Sequence, residues 1–154
     1  MPANPDNTLL LSVVTPQGIV LSEPASSVAF WTSLGEIEVL PGHAPTVVLV
    51  EPGEMRIRNA AGSERAFATG EGFARIDIRE VTFFSDMAED AAEIVLDQVQ
   101  EAKSRAEQAV AAAANLSGDE RLAADLALRE SLVKIQILMR RKHGSQPRGP
   151  VPTE

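Results

Sequence analysis

Short apolar runs separated by turn-forming residues fill the chain up to about residue 87. The runs lie at residues 8–15, 19–21, 27–32, 36–40, 46–50, 55–59, 65–69, 73–78 and 81–85. Apolar runs of about 4 to 8 residues with a turn signal every 8 to 12 residues are typical of antiparallel strands in a sandwich or barrel. This part of the chain is therefore predicted to be a β-domain.

Apolar and charged residues alternate within several of these runs. In the first segment, Ile37 and Val39 alternate with Glu36 and Glu38. In the second, Met55 and Ile57 alternate with Glu54, Arg56 and Arg58. In the third, Ile76 and Ile78 alternate with Arg75, Asp77 and Arg79. A period of two places one set on each face of a strand. These strands are predicted to bury an apolar face and to expose a charged one.

Alanine-rich sequence with helical periodicity follows residue 87. Asp86 with Glu89 resembles a capping pair, which would start a helix there. The first stripe consists of Val95, Val99, Ala102, Ala106, Ala109 and Ala113. The spacing of three and four residues is that of one helix face.

A second helix is predicted after a break at residues 115–118. Ser117 with Glu120 is typical of a capping box, and Gly144 and Pro147 end the pattern. Its predicted stripe is Ala124, Leu128, Leu132, Ile135 and Met139. Two striped helices joined by a short break favour an antiparallel hairpin. Because alanine buries little apolar surface, this hairpin is predicted to be weakly held and able to separate.

The pattern as a whole predicts an α+β chain in which an antiparallel β-sandwich precedes a two-helix hairpin. The predicted units are a flexible arm (1–7), a β-sandwich domain (8–87), a helical hairpin (88–143) and a disordered tail (144–154).

Charge and composition narrow the classes of partner. The chain has 14 basic and 22 acidic side chains, a net charge of −8 and no cysteine. An acidic balance disfavours nucleic acid as a partner, and no apolar run approaches the ~20 residues of a membrane-spanning helix. Lys134, Arg140, Arg141 and Lys142 form a basic cluster near the chain end. The cluster either complements a helix C-terminus or docks an acidic partner.

Residues that could carry chemistry are few. The two histidines are His43 and His143, and the chain has no tyrosine. An enzyme would have to use His43 with Glu36, and no recurring spacing indicates a metal site. No catalytic, cofactor or metal residue is therefore assigned. The loop that contains His43 is stiffened by Pro41 and Pro45, which suits recognition because a stiff loop loses little entropy on docking.

Several segments resemble the epsilon subunit of F-type ATP synthases. They are GEIEVLPGHAP at residues 35–45, PGEMRI at 52–57, ATGEGF at 68–73 and VTFFSD at 81–86. The opening segments 10–15 and 18–21 are also similar, and the resemblance covers residues 8–143. The order of a β-domain followed by a helical hairpin is that of the family.

The resemblance implies a non-catalytic subunit of the central stalk at the cytoplasmic face of the bacterial inner membrane. The β-domain would contact the gamma subunit and the ring of membrane-embedded c subunits. The ring-facing residues would be Glu36, Pro41, Gly42, His43, Ala44 and Pro45. The hairpin would inhibit ATP hydrolysis when extended, with Lys134, Arg140, Arg141 and Lys142 meeting the alpha/beta catalytic head.

One departure from the family concerns ATP. Some members bind ATP through a Leu-Asp-x-x-Arg-Ala motif, where this chain has LDQVQE at residues 96–101. Gln100 replaces the arginine and Glu101 the alanine, so we expect weak or absent ATP binding. The main alternative function is a free-standing β-sandwich binding module that is oligomerised by its hairpin.

Overall fold

A computed structural model describes residues 7–112 and 115–142, with the backbone alone for 140–142. The strands are β1 (Leu9–Thr15), β2 (Gly18–Ala25), β3 (Ser27–Thr32), β4 (Gly35–Val39), β5 (Thr46–Val50), β6 (Gly53–Arg58), β7 (Glu64–Thr69), β8 (Gly72–Ile76), β9 (Glu80–Ser85) and β10 (Ala88–Asp90). The helices are α1 (Leu96–Ala111) and α2 (Gly118–Lys142).

The strands form two layers that are joined at one corner. The pairing order is β10-β7-β6-β3-β5-β8-β9-β1-β2, with β4 on the other side of β3. At the corner, β3 and β5 pair only through Thr32 and Val50. We call β10, β7, β6, β3 and β4 sheet I, and β5, β8, β9, β1 and β2 sheet II. Among the described strands the pairs are antiparallel except β1 with β9, which run parallel.

One apolar core lies between the two sheets. Phe30 from sheet I and Phe83 from sheet II are both fully buried, and their rings meet edge to face with centroids 5.2 Å apart. Burying each phenylalanine contributes roughly 1.5–3 kcal/mol. The predicted β-sandwich is confirmed.

The predicted alternation is confirmed in most strands and wrong at two positions. Val39, Met55 and Ile57 are buried as expected. Glu54 was expected on the charged face but is only 9% exposed. Ile78 was expected on the buried face but is 57% exposed, because β8 ends at Ile76 and Ile78 lies in the turn before β9.

One of the two predicted helix starts is correct. Ser117 and Glu120 form the expected capping box, since the Ser117 N–H donates to the Glu120 carboxylate at 2.8 Å. These hydrogen bonds lower the pKa of Glu120. The Asp86 and Glu89 pair does not cap a helix, because residues 88–90 form β10, which pairs with β7. Helix α1 begins only at Leu96, after Val95, which makes no side-chain cap.

The buried face of α1 follows the predicted stripe, whereas that of α2 does so only in part. Val99 and Ala106 are buried as predicted. On α2, Ala124 is buried, but Leu132 and Met139 are 46% and 56% exposed. Ile137, which lies off the predicted stripe, is 3% exposed. The reason is that α2 is contacted on two sides, by α1 and by strands β6 and β7, so no single stripe describes its burial.

The hairpin packs on the outer face of sheet I. A second apolar cluster there consists of Ala68, Ala91, Ile94, Val99 and Ile137. Phe67, the strand neighbour of Ala68, points into the main core instead. Met87, Val133, Ile135 and Leu138 are among the partly buried side chains that pack against this cluster. The sandwich and the hairpin therefore share a second apolar interface, built from both small and large side chains.

The strands continue three residues beyond the predicted boundary at 87, and residues 91–95 connect β10 to α1. Apart from Asn7, the predicted arm lies outside the described residues, as does the whole predicted tail. Ala113, predicted for the first stripe, also lies outside them.

Candidate functional site

The loop at residues 41–45 is held by its own backbone and by a neighbouring turn. Gly42 has a φ of +89°, a conformation that favours glycine, and its N–H donates to the Ile78 carbonyl at 2.6 Å. The His43 N–H donates to the Leu40 carbonyl, and its Nδ1 lies 2.7 Å from the Ala44 carbonyl oxygen. A carbonyl can only accept, so Nδ1 carries a proton and the ring is fixed against the loop. Ala44 and Pro45 are exposed and Pro41 is half-buried.

Glu36 belongs to a different contact network. It lies on the exposed face of β4, and its carboxylate forms an ion pair with the Arg56 guanidinium of β6. The loop, in contrast, is bonded to the turn between β8 and β9. His43 and Glu36 therefore do not form the acid–base pair that an enzyme built on them would need.

Lys134 is the one member of the predicted basic cluster whose side chain lies in the described part of the structure. Lys134 is directed towards the sandwich, where its Nζ forms an ion pair with the Glu89 carboxylate of β10. Arg140, Arg141 and Lys142 lie in the last turn of α2, but their side chains are outside the described part of the structure. In this conformation Lys134 serves the hairpin interface rather than an open surface.

Charged groups from three segments meet where α2 crosses the edge of the sandwich. Arg129 Nη1 lies 3.3 Å from the Glu71 carboxylate. Glu130 of α2 lines the same gap as Asp86 and Glu71. Burial first, and then the charges of Asp86 and Glu89, raise the pKa of the Glu130 carboxyl, and Lys134 opposes this.

An apolar row crosses the outer face of sheet II. It runs through register partners on five strands, which are Leu49, Phe73, Phe84, Val14 and Ile19. Register partners share one face of a sheet, so the row spans four strand spacings, about 19 Å. Leu49 and Ile19 are 70% and 71% exposed, and the Phe73 and Phe84 rings stack with centroids 4.6 Å apart. A contiguous exposed apolar surface of this kind marks an interaction site.

The row was not predicted from the sequence, although the sequence contains a signal for it. TVVLV at 46–50 and VTFF at 81–84 contain consecutive apolar residues. A strand that is apolar at consecutive positions has apolar side chains on both faces. One face fills the core here, through Val48 and Phe83, and the other forms the row.

A cleft of about 270 Å³ lies between sheet I and α2. Trp31 forms one wall, and Val133 and Ile137 form the other. Gly53 is required beneath the indole, because a Cβ at that position would lie 2.7 Å from Trp31 Cδ1. Trp31 is the only tryptophan of the chain, so its environment reports on the position of α2.

Neither α1 nor α2 combines the length and apolarity that crossing a bilayer requires. Within residues 7–112 and 115–142, no three side chains of the His, Cys, Asp or Glu types are grouped so that they could hold a metal ion.

Comparison with known proteins identifies relatives along most of the chain. Residues 8–91 match the model of the ATP synthase delta/epsilon chain β-sandwich domain. The ATP synthase epsilon chain of Desulforapulum autotrophicum is 34% identical over 84% of this chain and 95% of its own length. That of Latilactobacillus sakei is 31% identical over 89% and 97%, and that of Desulfitobacterium hafniense (strain Y51) is 35% identical over 83% and 94%.

Two solved structures share the fold. A chain of the Euglena gracilis mitochondrial ATP synthase (OSCP/F1/c-ring) superposes with a TM-score of 0.72 at 21% identity, covering 90% of this chain and 86% of that one. A chain of the Tetrahymena thermophila mitochondrial ATP synthase central stalk and c-ring gives a TM-score of 0.55 at 13% identity, covering 83% and 94%.

Proposed function

Because the chain belongs to the delta/epsilon family of ATP synthase chains, we propose that it is a non-catalytic subunit of the central stalk that couples the membrane ring to the gamma shaft. The observation that carries this proposal is the match to epsilon chains over both the sandwich and the hairpin. The subunit works at the cytoplasmic face of the bacterial inner membrane, held there by its partners.

The apolar row is the surface that binds gamma. Its members Ile19, Leu49 and Phe73 are exposed, and the row lies on the opposite side of the sandwich from the hairpin. Residues buried at the centre of an interface are typically aromatic and aliphatic, as in this row. The hairpin can therefore change position without disturbing the gamma interface.

Co-elution with the gamma subunit of the same genome tests the assignment. A stable one-to-one complex is the expected result, with the isolated chain sedimenting as a monomer. A homo-oligomer that ignores gamma would contradict the proposal and favour the alternative, a free-standing binding module that is oligomerised by its hairpin.

The loop at residues 41–45 contacts the c-ring, and Glu36 contributes from the adjoining strand. The hydrogen bond from Gly42 to Ile78 and the bond from His43 to Ala44 pre-shape the loop. A pre-shaped loop loses little conformational entropy on docking. This supports a rigid contact of the kind that torque transfer requires.

His43→Ala is expected to weaken coupling between ion flow and ATP turnover while leaving turnover itself intact. The side chain is on the surface, so the stability of the isolated chain should change by less than about 1 kcal/mol. Proton pumping in reconstituted vesicles, divided by ATP turnover, measures the effect. Gln17→Ala, in the turn at the opposite end of β1, is the matched control and should leave the ratio unchanged. Loss of turnover in His43→Ala would instead favour a catalytic histidine.

The hairpin is the regulatory element, and it inhibits ATP hydrolysis when it extends towards the catalytic head. In the structure described here it is docked, with Lys134 paired to Glu89. Extension frees Lys134, which together with Arg140, Arg141 and Lys142 then meets acidic segments of the head.

This chain binds ATP weakly or not at all. Gln100 and Glu101 are both exposed on α1. The gap between the sandwich and α2 is lined by Glu71, Asp86 and Glu130, whose carboxylates repel phosphate. Titration calorimetry of the isolated chain should detect no binding in the micromolar range. A saturable micromolar isotherm would overturn this proposal.

A further inference from the structure

The surface of α2 that meets the sandwich contains a carboxylate in a position unfavourable for docking of the hairpin. Glu130 lies on the face of α2 that turns towards sheet I, and with Asp86 and Glu71 it lines a narrow gap between the two units. Asp86, which follows β9, lines this gap with Glu130. Glu89 of β10 is bound by Lys134, one helical turn after Glu130, so a second carboxylate of the sandwich lies near it.

Ion pairs on either side hold α2 in place. Lys134, one helical turn after Glu130, binds Glu89, and Arg129 binds Glu71. Arg129 also contacts Asp125 of its own helix at 3.4 Å. In the docked state the basic groups beside Glu130, those of Arg129 and Lys134, are therefore already paired with carboxylates of the sandwich.

The apolar contacts beneath these charges come from small and large side chains alike. Ala68, Ala91 and Val99 lie in the buried cluster with Ile94 and Ile137. A repulsion between like charges in the docked state subtracts from the free energy that this packing contributes.

We propose that Glu130 weakens hairpin docking, because its carboxylate is repelled by those of Asp86 and Glu89. As a result α2 leaves the sandwich more readily than its apolar contacts and ion pairs alone would allow. Docking itself is a property of the isolated chain, and only the consequence for ATP hydrolysis rests on the function proposed above.

Glu130→Gln tests the proposal because it removes the charge and keeps the shape. Trp31 walls the cleft against α2, so its exposure to a collisional quencher rises when α2 leaves. The variant should show a lower acrylamide quenching constant. Amide hydrogen exchange in α2 should slow about two- to fivefold, the size expected for two like-charge contacts of ordinary strength.

Asp86→Asn removes the opposing side of the same repulsion and should shift both readouts in the same direction. Glu101→Gln is the matched control, since it removes one exposed carboxylate from α1 and should leave quenching and exchange unchanged. The proposal is wrong if Glu130→Gln and Asp86→Asn leave docking unchanged or weaken it. It is also wrong if Glu101→Gln strengthens docking equally, which would indicate an effect of net charge.

The pH dependence of docking tests independently whether the charge of Glu130 weakens or strengthens docking. Docking raises the pKa of Glu130, so the docked state binds the proton more tightly than the free hairpin does. Docking should therefore strengthen as the pH falls through the range just above the ordinary carboxyl value of 4.5. Lys134 and Arg129 stay charged across this range. Glu130→Gln should remove the part of this strengthening that Glu130 contributes, so the wild-type chain should gain more docking on acidification than the variant does. An equal pH dependence in the two chains would contradict the proposal.

Hydrolysis assays separate this inference from the proposed function. If Glu130→Gln strengthens docking and also relieves inhibition of ATP hydrolysis, both stand. If docking strengthens while hydrolysis does not change, the inference about Glu130 stands and the inhibitory role of the hairpin fails.

Discussion

Leu49→Asp is expected to weaken binding to gamma by at least about 100-fold, since a charge placed in an apolar interface loses burial energy and pays desolvation, together more than about 2.7 kcal/mol. Leu49 is 70% exposed in the free chain, so the sandwich itself should lose no more than about 1 kcal/mol. The measurement is the affinity for gamma by titration, with a thermal melt of the free chain beside it. Phe73→Asp, at the next position of the apolar row, should have an effect of similar size.

Leu34→Asp is the matched control for this experiment. Leu34 is 97% exposed in the turn between β3 and β4, on sheet I, away from the apolar row. It makes the same chemical change on another surface and should leave the affinity for gamma unaltered. Equal losses in Leu34→Asp and Leu49→Asp would contradict the assignment of the row to gamma.

Removing residues 96–154 is expected to preserve binding to gamma and to increase ATP hydrolysis by the assembled complex several-fold. The cut retains β10, which pairs with β7 and whose Asp90 binds Arg65 at 3.0 Å. It removes both helices, which we propose to be the inhibitory element. Steady-state hydrolysis with full-length and truncated chains, at matched occupancy of gamma, measures the effect. Equal inhibition by the two chains would show that the hairpin is not the element that inhibits ATP hydrolysis.

A cross-linked hairpin provides the control for this truncation. The chain has no cysteine, so Glu89→Cys combined with Lys134→Cys permits a bis-maleimide bridge across the docked interface. The bridged chain should behave as the truncated one does, because a docked hairpin cannot reach the head. A bridged chain that still inhibits would place inhibition in the sandwich.

The sequence predicts the fold correctly where a local residue pattern meets only one kind of surroundings, such as a strand with a single buried face. Ile37 and Val39 alternate with glutamates because β4 has one buried face. The box of Ser117 and Glu120 is local, so its residues alone reveal it. The misassigned residues depend on contacts that are distant in sequence. Residues 88–90 become a strand because β7 offers them a partner, which overrides a capping pattern.

The candidate surfaces likewise separate into one that local sequence reveals and one that depends on contacts distant in sequence. Residues 41–45 stood out because two prolines and a glycine mark an unusual loop in any context. The apolar row did not, because its members come from β1, β2, β5, β8 and β9, and only the register of the strands aligns them. The basic cluster that contains Lys134 was predicted from neighbouring charges in the sequence. The pairing of Lys134 with Glu89, however, depends on where α2 docks.

The hydrogen bond from Gly42 to Ile78 ties the loop at residues 41–45 to the turn between β8 and β9, and these two strands carry Phe73 and Phe84 of the apolar row. If the loop contacts the ring and the row contacts gamma, as proposed above, force that enters at the loop reaches gamma along strands of sheet II. This route does not cross the corner where β3 and β5 pair through Thr32 and Val50. Sheet II would then act as a strut between ring and gamma, while sheet I carries the hairpin and, through Glu36, a further contact with the ring.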